Sequence, residues 1–336
     1  MLRVHFTTED VARVRVAAAP DPLWEITNSF QALLVRDSSL AFGEWRRLVA
    51  PRLPAGGGQL TGLLPPRGYS PDFLTPDLRG HYDLRSAVDT VLGTPRTVLR
   101  DDLVTLAQSR DRSRPLPTGI RELADGTPSA LRRLGSTLHG YHRHALDPFW
   151  PQIRGQVDAD RALRARAVLA GGTEGLLRSF EPLLRWEPPV LVADYPVDRE
   201  LHLDGRGLLL QPSFFCHRRP VTLASPDMTP ILVYPIQHTL GWTRHRARLG
   251  TGPPAELGAL IGRTRAAVLE DVVTGRTTGE LAERFGITGA AASYHTAVLR
   301  RAGLLLSVRH GKHVVHSITP AGQALLEGPS ETPFDV

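Results

Sequence analysis

An α+β chain, mostly helical, is what the sequence predicts, and three observations predict it. Apolar residues recur at helical spacing through most of Asp83 to Phe180. Between Pro189 and Ile236 the texture changes to short β-prone runs split by Pro, Gly and Asp. Beyond a Gly/Pro-rich stretch at Arg248 to Leu257, helical spacing returns and gives way to two β-prone arms around "RHGK".

The elements follow in order. "LRVHF" (Leu2 to Phe6) alternates like a short strand. "DPLWEITNSFQALLVRD" sets Leu23, Ile26, Phe30, Leu33 and Leu34 on one helical face, and "LAFGEWRRLV" continues in helical style. "PRLPAGGGQLTGLLPPRG" reads as a loop, and no Gly-Lys-Ser/Thr follows its glycines to make a phosphate cradle. Five helical candidates come next: "DLRSAVDTVL", "PRTVLRDDLVTLAQ", "TPSALRRLGSTLHGYHRHAL", "DPFWPQIRGQVDADRALRARAVLA" and "TEGLLRSFEPLLR". The runs "PPVLVADYPV", "RELHLDG", "RGLLLQPSFF", "PVTLAS" and "PILVYPI" read as a small antiparallel sheet. No internal repeat is visible.

This organisation divides the 336 residues into five parts. Residues 1–188 form a mainly helical domain for dimerisation, effector sensing or both. Residues 189–247 form a small β-rich segment packed on it, and 248–256 a linker. Residues 257–327 form a C-terminal domain, and 328–336 a polar tail. With 41% hydrophobic and 22% charged residues the composition is that of an ordinary globular protein. The formal charge of +6 and a sequence pI of about 10.0 favour a polyanionic partner. One cysteine, Cys216, excludes an internal disulfide and a thiolate cage, which fits a cytoplasmic location. "MLRVHFTTED" has no apolar leader core, and no apolar run approaches a membrane span.

The chemistry concentrates near the end. "ELGALIGRTRAAVLEDVV" places Leu257, Leu260, Ile261, Val268 and Val272 on one face of an amphipathic helix. Thr277 and Glu280 have capping-box spacing, Leu281 and Phe285 face inward, and Gly286 stands where a helix ends in a left-handed turn. Thr288 caps the next helix. There Ala292, Thr296, Leu299 and Gly303 follow a packing stripe, and Ala291, Tyr294, Ala297 and Arg301 take the other side. The small residues Ala290, Ala291 and Ala292 at the helix start let the backbone approach another surface closely, as a helix entering a major groove by its N-terminal end requires. The arms around "RHGK" read as a tight hairpin with Gly second in a two-residue turn. Arg309, His310, Lys312 and His313 crowd its tip, where cations can straddle a phosphate backbone. From Arg284 through Leu326 there is no Asp or Glu, although the stretch holds Arg284, Arg300, Arg301, Arg309, Lys312 and four histidines. Acids are depleted where phosphates would repel them.

In order and spacing, "TTGELAERFGIT", "ASYHTAVLRRAGLL" and "VRHGKHVVHSIT" resemble the helix, recognition helix and wing of the ArsR/SmtB winged helix-turn-helix family. The longer architecture is similar to actinobacterial regulators with a long, poorly characterised N-terminal region. The resemblance implies a dimeric DNA-binding transcriptional regulator. The family's metal-sensing residues are not carried over. The first helix of the motif has no Cys, the terminal helix "PAGQALLEG" has no His, and no metal or other cofactor is expected. Thr296 stands where relatives usually carry Leu.

The residues expected on duplex DNA are Thr288, Gly289, Ala290, Ala291, Ser293, Tyr294, His295, Ala297, Arg300, Arg301, Arg309, His310, Lys312 and His313. Ser293 and Tyr294 would reach phosphates or base edges. Arg300 and Arg301 would clamp the backbone. His295 beside the inward stripe reads equally as a half-buried, satisfied histidine. His139 and His142 at i, i+3 could ligate zinc with Asp147, but no further ligand is near in sequence. Cys216 and His217 are neighbours that a strand would point to opposite faces. No nucleophile–base–acid set has recognisable spacing, so the expectation is a non-enzymatic regulator, modulated by a small-molecule effector. Two alternatives stay open: a metal-dependent enzyme with a winged-helix docking module, and a winged helix that binds protein.

Overall fold

The structure, a computed structural model, describes residues 1–35, 39–53, 59–66, 68–109, 119–217, 219–223, 228–238, 242–243, 255–310 and 313–327. The chain forms two compact units, Met1–Leu240 and Gly241–Val336. It is α+β and mostly helical, with small sheets, as the sequence predicts.

In the first unit the helices are α1 (Thr8–Ala12), α2 (Pro22–Leu34), α3 (Ser39–Val49), α4 (Gln59–Leu63), α5 (Leu84–Leu92), α6 (Arg96–Ser109), α7 (Ile120–Ala124), α8 (Pro128–Tyr141) and α9 (Trp150–Arg178). The strands are β1 (Leu2–His5), β2 (Arg15–Val16), β3 (Leu184–Glu187), β4 (Val190–Ala193), β5 (Arg199–His202), β6 (Leu209–Ser213), β7 (Val221–Leu223) and β8 (Ile231–Pro235). Every expected β-prone run carries a strand, but their pairing is not one antiparallel sheet. They form two four-stranded mixed sheets, ordered β3-β4-β1-β5 and β2-β6-β8-β7. β1 runs antiparallel to β4 and parallel to β5. β6 lies parallel between β2 and β8. Thus two strands from the first sixteen residues complete sheets whose other members lie nearly two hundred residues along the chain.

Alternation explains the first sheet. Leu2 and Val4 are buried and Arg3 is exposed. The outer face carries Arg3 paired to Glu200 at 3.1 Å and His5 at 2.5 Å from the same carboxylate. Helix α2 is not the one-sided helix its spacing suggested: Pro22 through Phe30 are all buried, while Leu34 at its end is exposed. Asp21 caps it, accepting from Leu23 and Trp24 N–H. One turn on, the buried Glu25 accepts the Phe214 and Phe215 N–H groups at 2.7 and 3.0 Å, where the chain leaves β6. The carboxylate thereby takes up two backbone N–H groups at a buried corner. Burial pushes both carboxyls up to about 7, against the lowering by these N–H groups.

Helix α9 breaks at Gly171–Gly172, where Gly172 sits at φ +60. The apolar spacing is interrupted at the same place, between "RAVLA" and "TEGLL". Before the break, Arg164 pairs with Asp160 at 2.9 Å and lies 4.1 Å above the Phe180 ring, and Tyr234 donates to Asp160 at 2.6 Å. This buried network ties α9 to β8. The segment expected as one loop at 51–68 holds α4, because Leu60 and Leu63 find a buried face. The last helical candidate stops at Arg178, and its Leu184 and Arg185 belong to β3.

The "HGYHRH" histidines diverge. His142 is buried against Trp150, and His144 hydrogen-bonds the Gly140 carbonyl at 2.6 Å. Among the described residues no three His, Cys, Asp or Glu groups are placed to hold a metal ion. Cys216 and His217 follow β6 rather than lying in it, and the thiol of Cys216 is buried and pushed up by desolvation and then by Glu25. No helix among the described residues is long and apolar enough to cross a membrane.

Candidate nucleic-acid interface

The second unit contains α10 (Ala255–Ile261), α11 (Arg263–Asp271), β9 (Arg276–Thr277), α12 (Thr278–Phe285), α13 (Gly289–Arg301), β10 (Leu305–His310), β11 (His313–Ile318) and α14 (Pro320–Glu327). Where the sequence suggested one amphipathic helix, Gly262 at φ +87 separates α10 from α11. The consequence is concrete: Leu257 is buried, whereas Leu260, expected on the same inward face, is 72% exposed.

The helix pair forms for local reasons. Thr277 caps α12 through a complete capping box, its hydroxyl accepting from Glu280 N–H while the Glu280 carboxylate accepts from Thr277 N–H at 2.7 Å. Gly286 ends that helix in the left-handed region at φ +60. Thr288 caps α13 by accepting from Ala291 N–H at 3.1 Å. Beneath both helices Ala266, Val268, Leu269, Val272, Leu281, Ala292, Leu299 and Leu305 form one core, with Phe285 packed against it. Thr296 is buried in this stripe. Its hydroxyl donates back to the Ala292 and Ser293 carbonyls at 3.0 and 3.1 Å, which satisfies it within its own helix. Gly303, expected in the stripe, is exposed and turns the chain at φ +73 after the helix.

The opposite side of α13 is open. Thr288, Gly289, Ala290, Ser293, Arg300 and Arg301 are exposed, and Tyr294 is 58% exposed. Ala291 and Ala297 are half-buried. His295 is also half-buried, its ring edge-on to Tyr294, and its buried Nδ1 has no hydrogen-bond partner. It is therefore not the satisfied histidine that one of its readings supposed.

The wing is the hairpin β10–β11, with β9 added along β11 in the order β10-β11-β9. Pairing runs from Leu305↔Ile318 to His310↔His313. Gly311 and Lys312 come between the last pair, so Gly311 is the first, not the second, of the two intervening residues; both lie outside the described residues. The backbones of His310 and His313 pair at the end of the hairpin, and Arg309 is exposed beside them.

Two members of the acid-free basic stretch do other work. Arg284 meets Asp271 at 2.7 Å, and the same nearly buried carboxylate takes Arg276 at 3.1 Å. Counting acids only from residue 284 onward hid this partner, which lies on the preceding helix. His316 is 4% exposed. Its Nε2 lies 2.9 Å from the Thr278 hydroxyl and its Nδ1 2.8 Å from the Ser307 hydroxyl. Burial, and then the Arg300 guanidinium, hold its pKa below the ordinary histidine value. The alternation of "HVVHSI" carried the signal, since it puts His316 on the same face as Val314 and Ile318.

With this geometry in place, comparison with known proteins adds one match. A family model described as a helix-turn-helix domain matches residues 261–308, from the end of α10 into β10. No curated protein and no solved structure matches the chain. The second unit thus contains a helix-turn-helix domain, which supports assignment to the class of DNA-binding regulators.

Proposed function

We propose that the protein is a non-enzymatic, cytoplasmic transcriptional regulator of the ArsR/SmtB-like winged-helix type that binds duplex DNA as a homodimer. Residues 257–327 are its DNA-binding domain. The region before them dimerises, senses a small-molecule effector, or does both. The observation that carries the reading is the open side of α13. A capped helix start of Thr288, Gly289 and Ala290 leads to exposed Ser293 and Tyr294, and exposed Arg300 and Arg301 stand at the far end. Side chains short enough for close approach occupy the end that enters a major groove, and cations stand where the helix would leave it. Thr288 to Ala291, Ser293, Tyr294, His295 and Ala297 face the groove in this reading. Arg300, Arg301, Arg309, His310, Lys312 and His313 hold phosphates.

A two-fold dimer sets its two recognition helices about 34 Å apart on one side of the duplex, so the operator is an inverted repeat. An effector acts by binding one arrangement of the protein better than another. The test is genome-wide capture of DNA by the purified full chain. Enrichment of fragments sharing an inverted repeat is expected. Uniform weak capture would favour a winged helix that binds protein, and stoichiometric metal in the purified chain would favour an enzyme.

A further inference from the structure

One buried side chain ties the wing of this domain to the first helix of the pair. The hairpin β10–β11 leaves the body of the domain after Leu305 and carries Arg309 beyond it. β9, only two residues long, adds just the Val315↔Thr277 and His316↔Arg276 pairs to the edge of β11. His316 supplies what this short edge lacks. From β11 it reaches Thr278, the first residue of α12, with one ring nitrogen, and Ser307 on β10 with the other. One imidazole thereby joins both arms of the wing to the first helix of the pair. A hydroxyl can donate or accept, so a neutral ring is satisfied on both sides in either tautomer.

The anchor and the wing cation share one face. Residues 305, 307 and 309 alternate to the same side of β10, and Ser307 stands opposite His316. Leu306 and Val308 project to the other side and are exposed. Arg309 is therefore only ~7 Å along the strand from the anchor, and the His310↔His313 pair ~10 Å along it. A ~15° tilt at the anchor would move the hairpin end by ~2.5 Å, enough to break a charge-assisted hydrogen bond to a phosphate.

We propose that His316 is the positioning residue of the wing: through Thr278 and Ser307 it fixes the pitch of the hairpin against α12 and so sets where Arg309 stands on the phosphate backbone. The proposal rests on the DNA-binding reading above. It separates His316 from the other basic residues of the stretch, since it acts through Arg309 and touches no DNA itself.

The test uses the full chain and a random-sequence duplex, with affinity measured across a salt series beside a thermal melt. Thr278→Val and Ser307→Ala each remove one hydroxyl and keep the rest of the side chain's bulk, and Thr278→Ser keeps the hydroxyl. The two deletions should each weaken binding about three- to tenfold and flatten the salt dependence, as Arg309→Ala is also expected to do. The melt should move little, and Thr278→Ser should bind like wild type. Thr278→Val combined with Arg309→Ala should bind no more weakly than Arg309→Ala alone, because a misplaced wing has no contact left to lose. Additive losses would overturn the proposal, as would wild-type affinity and salt slope in both folded deletions. If the wild-type chain itself binds no duplex, the reading of the domain falls, and the proposal with it.

Discussion

The two units differ in how far along the chain their defining contacts reach. In the second unit the helix pair is set by contacts three or four residues apart: Thr277 with Glu280, Gly286 closing onto Ala282 and Glu283, Thr288 with Ala291. In the first unit the sheets are set by contacts across most of the chain: Leu2 beside Ala193 and Arg199, Arg15 beside Leu209, Glu25 beneath Phe214 and Phe215. The short-range unit announces its fold and its working surface together. The long-range unit holds its polar groups in buried partnerships that only folding assembles, and its α2 is buried over most of its length rather than along a stripe. The contrast predicts that damage to the first unit acts on stability and damage to the exposed face of the second acts on binding.

The largest effect belongs to the buried ion pair. Arg164→Ala leaves Asp160 without its cation in a site where both side chains are nearly buried. It also strips the Phe180 ring of its guanidinium. We expect a loss of about 3–5 kcal/mol in the first unit, the usual cost of an abandoned buried charge. Denaturant unfolding followed by the fluorescence of Trp45 and Trp186, which lie in that unit, reads it. A change below about 1 kcal/mol would mean the network is solvated and the contrast overstated.

pH sharpens the comparison next, because the two units should respond with opposite sign. Asp21 and Glu25 have folded pKa values raised to about 7, from ordinary values of 3.8 and 4.5. The folded state therefore binds more protons, and the associated stability is present at low pH and lost as pH rises through about 7. His316 is held below the ordinary histidine value of 6.5. Its contribution is present above that value and lost as pH falls beneath it. His142 and His238 are also held low by burial and work against the carboxylates below about 6.5. The clean window thus runs from about pH 8 down to about 6.5. There the first unit should gain stability while the second stays level, and only further acidification should weaken the second. Hydrogen exchange resolved by segment checks this; a first unit that weakens between about pH 8 and 6.5 would show that Asp21 and Glu25 are ionised in the fold.

A smaller effect tests whether the second unit is as locally determined as it looks. Thr277→Ala removes the capping box of α12 and should cost about 1 kcal/mol. The loss should appear as fraying of α12 in the same exchange experiment, with the first unit unchanged. A loss of several kcal/mol would make Thr277 part of a tertiary network instead.

How much of this was legible follows the same division. The helix pair, both caps, Gly286, the wing arms and the open side of α13 were readable, because each depends on spacing within a few residues. The five strands of 190–235 were readable as strands, but their partners were not. Nothing in "LRVHF" says that it pairs with Val190–Ala193 on one side and Arg199–His202 on the other. The mixed sheets were missed for that reason. Within the site, distance along the chain hides partners in the same way. Arg284 belongs to the acid-free basic stretch in sequence, yet its partner Asp271 lies on another helix, outside that stretch. His316 is one of the four histidines of the same stretch, and strand alternation turns it inward. Leu260 falls on the inward face by apolar spacing but is exposed, because the positive φ of Gly262 that separates α10 from α11 leaves no mark in that spacing.

The central claim is that the open side of α13 reads DNA, and Tyr294 tests it most directly. Its side chain is 58% exposed, one turn from the helix start and away from the buried Ala292, Thr296 and Leu299. A binding-site selection on wild type and Tyr294→Ala, beside a thermal melt of each, is the measurement. The account predicts an inverted repeat selected by wild type, a mutant with relaxed preference at one position per half-site, worth ~1–3 kcal/mol there, and an unchanged melt. A mutant that melts early would place Tyr294 in the core, and a wild-type chain that selects no sequence at all would contradict the account.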